Sequence, residues 1–217
     1  MNKNEFVLAL KDLGIDITEE KLNKLDKYYD LLIEWNNKIN LTAITEPKEI
    51  ILKHFVDCAT INKFIDENKV LDIGTGAGFP GIPLKIINED LEITLADSLN
   101  KRIKFLDIVI ETLELNKIET IHSRAEELAK NKKYRESYDI VVSRAVAALN
   151  VLLEYTTPFI KVGGKVICMK GNNVEEEIKE SKNAIKILGT KLLPVEKMKN
   201  TPAKYPRKAG TPAKEPL

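Results

Sequence analysis

Asp72-Ile73-Gly74-Thr75-Gly76-Ala77-Gly78-Phe79-Pro80-Gly81 is the stretch on which the reading of this chain turns. An apolar run at 70–73 precedes it and a helical pattern over 80–88 follows it. Glycine tolerates the sharp turn that a strand-to-helix passage needs, and it lets a ligand come close to main-chain N–H groups. Open α/β sheets bind their ligands at the carboxyl ends of strands, where this loop would lie. A nucleotide-like ligand is therefore expected on Gly74, Thr75, Gly76 and Gly78.

Two cofactors compete for that loop, because Gly76-x-Gly78-x-x-Gly81 also spells the dinucleotide fingerprint, which alone is weak evidence. Asp72 breaks the tie. A carboxylate two residues before the first glycine disfavours a bound pyrophosphate and attracts the cationic end of S-adenosylmethionine, directly or through water. Twenty-five residues further on, a second apolar run ends in Asp97-Ser98, placing an acid where ribose hydroxyls can reach it. A third run ends in Ser123-Arg124-Ala125-Glu126, a position that can border an adenine ring.

Outward from the loop, short apolar runs at 70–73, 93–96, 120–122, 140–143 and 165–169 alternate with helical patterns at 80–88, 101–115, 148–160 and 174–188. Repeated βα units with right-handed crossovers predict a parallel sheet covered on both faces, an α/β fold. Before it, Leu22, Leu25, Tyr29 and Leu32 recur at three- and four-residue steps behind Thr18, a plausible cap, and Pro47 opens a further helical stretch through Ile65. The expected organisation is a helical extension over 1–65, a Rossmann-like domain over 66–198 and a tail over 199–217.

The tail, KNTPAKYPRKAGTPAKEPL, holds four prolines and five basic residues against one acid. Its composition reads as a disordered, solvated segment, the alternative being an extended basic arm. Elsewhere charge is balanced: 34 basic and 33 acidic residues give a net +1, so any nucleic-acid contact must come from local patches. Cys58 and Cys168 form no CxxC, which argues against a disulfide framework or a zinc ribbon. No metal site is expected. The start has no cleavable export signal and no run of about 18 apolar residues occurs, so a cytoplasmic protein is expected.

Several motifs are more specific. Trp35-Asn36 with Asn40-Leu41-Thr42, His54-Phe55-x-Asp57, DIGTGAGFPGIPL from Asp72, ADSLNKRIKFL from Ala96, SRAEEL from Ser123, SRAVAAL from Ser143 and the KYPRKAGTPAKEPL tail span nearly the whole chain. In these the sequence resembles the RsmG (GidB) family of bacterial 16S ribosomal RNA guanine-N7 methyltransferases. The resemblance implies a class I S-adenosylmethionine-dependent methyltransferase, with cofactor contacts at Gly74, Phe79, Ala125, Glu126 and Arg144. It also implies 16S rRNA or the small ribosomal subunit as partner, and a monomer is expected. One departure stands out: this fold closes with an antiparallel hairpin, yet only 192–198 reads as a strand, leaving the final strand in doubt.

Guanine N7 carries a lone pair and no proton, so no general base or covalent nucleophile is assigned; Cys58 and Cys168 read as packing residues. Arg144 and Lys170 follow the fourth and fifth strands and are the candidates for positioning substrate, with a salt bridge as the bland role for Arg144. His54 reads as a hydrogen-bonded structural residue before a functional one. Lys101, Arg102 and Lys104, with Lys204, Arg207 and Lys208 of the tail, could flank an RNA channel, and Tyr205 could stack on a base.

Overall fold

A computed structural model describes residues 3–144, 146–171, 174–191, 195–197, 201–202 and 204–217. Five parallel strands form the centre: β1 (Lys69–Ile73), β2 (Glu92–Asp97), β3 (Ile118–His122), β4 (Tyr138–Arg144) and β5 (Ile160–Met169). With β6 (Thr190–Lys191) and β7 (Val195–Lys197) the order is β3-β2-β1-β4-β5-β7-β6, and β7 runs antiparallel to both its neighbours. The closing hairpin is thus present. Among the described residues its halves are Thr190–Lys191 and Val195–Lys197, and the rest of the expected 192–198 run lies outside the described residues.

The chain reverses direction across the sheet between β1 and β4, so the carboxyl ends of these strands open a crevice there. Connecting helices are α5 (Gly81–Ile87), α6 (Asn100–Thr112), α7 (Ala125–Leu128) and α8 (Leu149–Thr156), followed by α9 (Val174–Glu180) and α10 (Lys182–Leu188). The pattern over 148–160 ends early, in a 3-10 turn at Thr157–Phe159, because Pro158 cannot continue the ladder. That over 174–188 breaks at Ser181.

Alternation within the strands divides the core in two. Val70, Ile93, Leu95, Ile140 and Val142 face one cluster, and Leu71, Ile73, Ala96 and Val141 face the other. The first cluster is completed by the amino-terminal helices: α1 (Lys3–Asp12), α2 (Glu19–Ile39), α3 (Pro47–Ile50), a π-helical stretch (Ile51–Val56) and α4 (Asp57–Ala59). Thr18 does cap α2, its hydroxyl accepting from Lys21 N at 3.3 Å. Leu22, Leu25, Tyr28 and Leu32 on its inner face are buried in the same cluster as Ile82 of α5 and Leu106 of α6.

The second face is covered by α8, α10 and the tail. Contrary to the solvated reading of its composition, the tail is docked over its described residues and ends in α11 (Thr211–Lys214). Tyr205 is 5% exposed within the second cluster, which removes it as a stacking surface. Arg207 forms a bidentate pair with Glu154, itself 1% exposed. Arg135 donates to Tyr205 O at 2.7 Å and Thr201 O at 2.9 Å, and Glu136 accepts from Thr201 N at 3.0 Å. Composition predicts whether a segment can bury itself. It does not reveal buried acids elsewhere in the chain that hold it.

Candidate functional site

The glycine loop leaves β1 with Gly74 at φ +69°, a left-handed conformation that an L side chain enters at a cost. A Cβ there would also lie 2.5 Å from Val146 Cγ2. At the other end, a Cβ on Gly81 would meet Leu95 Cδ2 at 2.3 Å, so glycine is what lets α5 pack tightly onto the strands.

Two carboxylates pin this loop. Asp72, one strand position from Ile73, points to the α5 side, where its Oδ2 accepts from Thr75 Oγ1 at 2.8 Å and Gly81 N at 2.9 Å. It is completely buried, Oδ1 has no hydrogen-bond partner, and burial pushes its carboxyl up to about 7 despite those two bonds. Asp72 therefore lies beneath the loop as its staple. Fully buried, its side chain lines no part of the cleft that Asp97 borders and offers no surface for direct contact with a ligand.

Asp97 is the second staple. Its Oδ2 accepts from Gly76 N at 2.9 Å and from Arg102 Nη1 at 3.2 Å, and its Oδ1 accepts from Leu99 N at 2.8 Å. It is 3% exposed. Unlike Asp72, it borders a cleft of about 140 Å³ at the carboxyl ends of β1, β2 and β3. Gly74, Ser98, Ala125 and Glu126 line the same cleft, with Ser123, Arg124, Val146 and Tyr155. A hollow of about 370 Å³ lies at the opposite end of the same strands, around Lys69, Glu92 and Lys117, away from the loop. Location relative to the strand ends, not size, marks the ligand site.

Phe79 and Arg144 lie on the other side of the loop, outside the cleft lining. His54 stacks on Phe79 with ring centroids 4.4 Å apart, and the Arg144 guanidinium sits 5.8 Å over the same ring. Arg144 donates to Lys53 O at 2.5 Å and to His54 Nδ1 at 2.9 Å, and lies 3.6 Å from Asp57 Oδ2. A guanidinium has no acceptor, so His54 Nδ1 must accept and its Nε2–H donates to Thr42 Oγ1 at 3.0 Å. Burial and the Arg144 charge hold His54 down at about 4, a neutral ring in a structural network, as the sequence suggested. Thr42 N in turn donates to Asn36 Oδ1 at 2.8 Å.

Lys170, Lys101 and Arg102 are also occupied within the chain. Lys170 donates to Ala147 O at 2.6 Å and pairs with Glu177 at 2.8 Å, fixing the segment that carries Val146. Lys101 donates to Ile39 O at the end of α2, and Arg102 is paired with Asp97. Thr75 and Gly78 shape the loop without lining the cleft. Burial pushes the thiols of Cys58 and Cys168 up to about 12, so neither is a nucleophile at neutral pH.

Sequence reasoning missed Val146 and Tyr155 in the cleft. Both sit among apolar residues whose pattern signals packing. It also missed Tyr28, whose buried hydroxyl donates to Ala77 O at 2.6 Å and ties α2 to the loop. A tyrosine on the apolar face of a helix reads as core, and only the loop's free carbonyl explains its hydroxyl.

The strand order, the loop and the cleft define a class I S-adenosylmethionine-dependent methyltransferase fold. Among solved structures, a SAM-dependent O-methyltransferase from Thermotoga maritima superposes with a TM-score of 0.51 at 14% identity, over 73% of this chain and 56% of that one. Residues 21–205 match the GidB family, described as rRNA small subunit methyltransferase G, and the chain belongs to that family. It is 52% identical to the ribosomal RNA small subunit methyltransferase G of Clostridium tetani over 229 positions, covering 96% of each chain. To that of Streptococcus gordonii it is 47% identical over 237 positions, covering all of both. Both alignments are longer than the 217 residues here, so each contains positions that this chain lacks.

Proposed function

We propose that the protein transfers the methyl group of S-adenosylmethionine to N7 of a guanine in 16S ribosomal RNA. One observation carries the cofactor: Gly74, Asp97, Ser98, Ala125 and Glu126 converge on a single cleft beside the glycine loop. The two carboxylates at that cleft, Asp97 and Glu126, favour a cationic ligand over a dinucleotide's pyrophosphate. Family membership supports the substrate.

S-adenosylmethionine, when bound, supplies a methyl group activated by its sulfonium. The chain's part is positional. Asp97 and Ser98 are assigned to the ribose, Ala125 and Glu126 to the adenine side, and the main chain of Gly74 to the close approach that a side chain would block. Guanine N7 attacks without losing a proton, so the neutral, fully engaged His54 is no handicap, and alignment and electrostatics supply the rate. Arg144 and Lys170 act as positioning residues: one braces the loop through Phe79 and His54, the other holds the segment over Gly74. No helix among the described residues is long and apolar enough to cross a membrane. The reading is completed by a monomer acting in the cytoplasm.

Incubation with methyl-labelled S-adenosylmethionine and 16S rRNA, as free RNA and in small-subunit particles, tests this. Nucleoside mass spectrometry should find 7-methylguanosine. Label on another atom or base, or none in any substrate, overturns the assignment.

A further inference from the structure

The docked tail builds a second concavity that the cofactor cleft does not use. A groove of about 510 Å³ lies between the tail and the segment after α7, lined by Lys130, Lys132, Arg135, Lys204, Arg207 and Lys208 around Ala129, Tyr205 and Pro206. Six cations and no acid line it, in a chain whose net charge is only +1. Some of that charge is spent internally: Arg207 on Glu154, Lys130 on Glu127, and Arg135 on backbone carbonyls, which leave its charge uncancelled. Lys132, Lys204 and Lys208 are exposed and form no ion pair among the described residues; Lys204 lies 5.2 Å over the Tyr205 ring. Like charges gathered this closely raise one another's energy, and an anionic partner relieves it.

The groove is physically joined to the cleft. Ala125 and Glu126, at the start of α7, line the cleft, and Ala129 and Lys130, just past its end, line the groove. Four helical residues span only about 6 Å. Glu126 also accepts from Gly210 N at 3.0 Å, fixing the tail to the cleft wall.

We propose that this groove binds backbone phosphates of the RNA strand flanking the target base, with Lys132, Lys204 and Lys208 as the contacting cations. The inference rests on the rRNA reading above. It replaces an extended basic arm with a preformed site, in which Arg207 is a structural anchor and not a phosphate ligand.

The test combines Lys132→Gln, Lys204→Gln and Lys208→Gln in the full chain, with a charge-preserving triple arginine variant beside it. All three positions are exposed, so folding should persist and S-adenosylhomocysteine binding should stay at the wild-type level. With 16S rRNA as probe, the glutamine variant should raise KM severalfold with kcat nearly unchanged. It should flatten the dependence of log affinity on log salt by about 2, at roughly 0.7 per lost contact. The arginine variant should restore both. An unchanged KM and salt slope in an active glutamine variant overturns the groove alone. A wild-type chain that methylates no rRNA overturns the functional reading beneath it.

Discussion

The two ends of the chain cover opposite faces of the sheet by opposite means. The amino-terminal helices dock through an apolar surface, Phe6, Leu10, Leu25, Leu32 and Phe55, all at most 1% exposed, with the Tyr28 hydroxyl as a polar tie to the loop. The carboxyl-terminal segment docks mainly through polar anchors. Arg207 on Glu154, Thr201 on Glu136 and Gly210 on Glu126 do what a hydrophobic stripe does at the other end, with Tyr205 as its buried aromatic. Apolar docking is non-directional and tolerates salt; polar docking depends on pairing and fails when one partner is removed.

The largest expected effect is at the amino-terminal end. Phe55 contacts the rings of Phe6, Tyr28 and Phe79, so Phe55→Ala should lower unfolding free energy by about 3 to 5 kcal/mol in urea titrations, independently of salt. A loss below about 1 kcal/mol would mean that this end is loosely packed. Next comes Arg207→Ala, which strands the buried Glu154 carboxylate. Arg207 keeps partial exposure, so about 3 kcal/mol is expected, with part recovered by Arg207→Lys. Unchanged stability would return the tail to the solvated segment that its composition suggests.

Acid should separate two groups on either side of the loop. His54 is held at about 4 against an ordinary 6.5, so the stability that its neutral form contributes is complete above 6.5 and is lost as pH falls towards 4. Asp72 is held at about 7 against an ordinary 3.8, so its penalty is absent below 3.8 and grows as pH rises to 7. The slopes oppose each other across their shared window and largely cancel. Asp72→Asn should unmask the histidine slope, with stability rising by roughly 1 kcal/mol per unit between about pH 5 and about pH 6. A flat profile in that variant contradicts the assignment of His54. The smallest effect belongs to Tyr28→Phe, about 1 kcal/mol for a single buried hydrogen bond, measured against wild type in the same titration.

The same contrast explains what the sequence made legible. The five parallel strands follow from short apolar runs set between helical patterns, because a strand buried on both faces is apolar throughout, and the α2 stripe follows from periodicity, because a half-buried helix leaves a repeating signature. Asp97 and Ser98 could be placed at the cleft because position at a strand end follows from strand order alone. The function of a side chain at such a position did not. Asp72 turned beneath the loop because neighbouring strand residues face opposite sides, and Arg144 turned to His54 and Asp57, some 90 positions earlier in the chain. The clamp on the tail was hidden for the same reason: Glu154 is an ordinary acid on an amphipathic helix until Arg207, 53 residues later, is folded against it. Asp97 carries a further lesson. Its removal would orphan Gly76 N, Leu99 N and Arg102, so substituting it tests loop integrity and ligand contact together.

Ser98 avoids that confusion, being exposed at the mouth of the cleft. Calorimetry of the wild-type chain with S-adenosylhomocysteine and with NAD, repeated on Ser98→Trp, tests the cofactor assignment most directly. Wild type should bind S-adenosylhomocysteine and give no heat with NAD, and the tryptophan should cost at least about tenfold in affinity while the protein stays folded. Heat from NAD alone, or S-adenosylhomocysteine binding that ignores the plugged cleft, would contradict it.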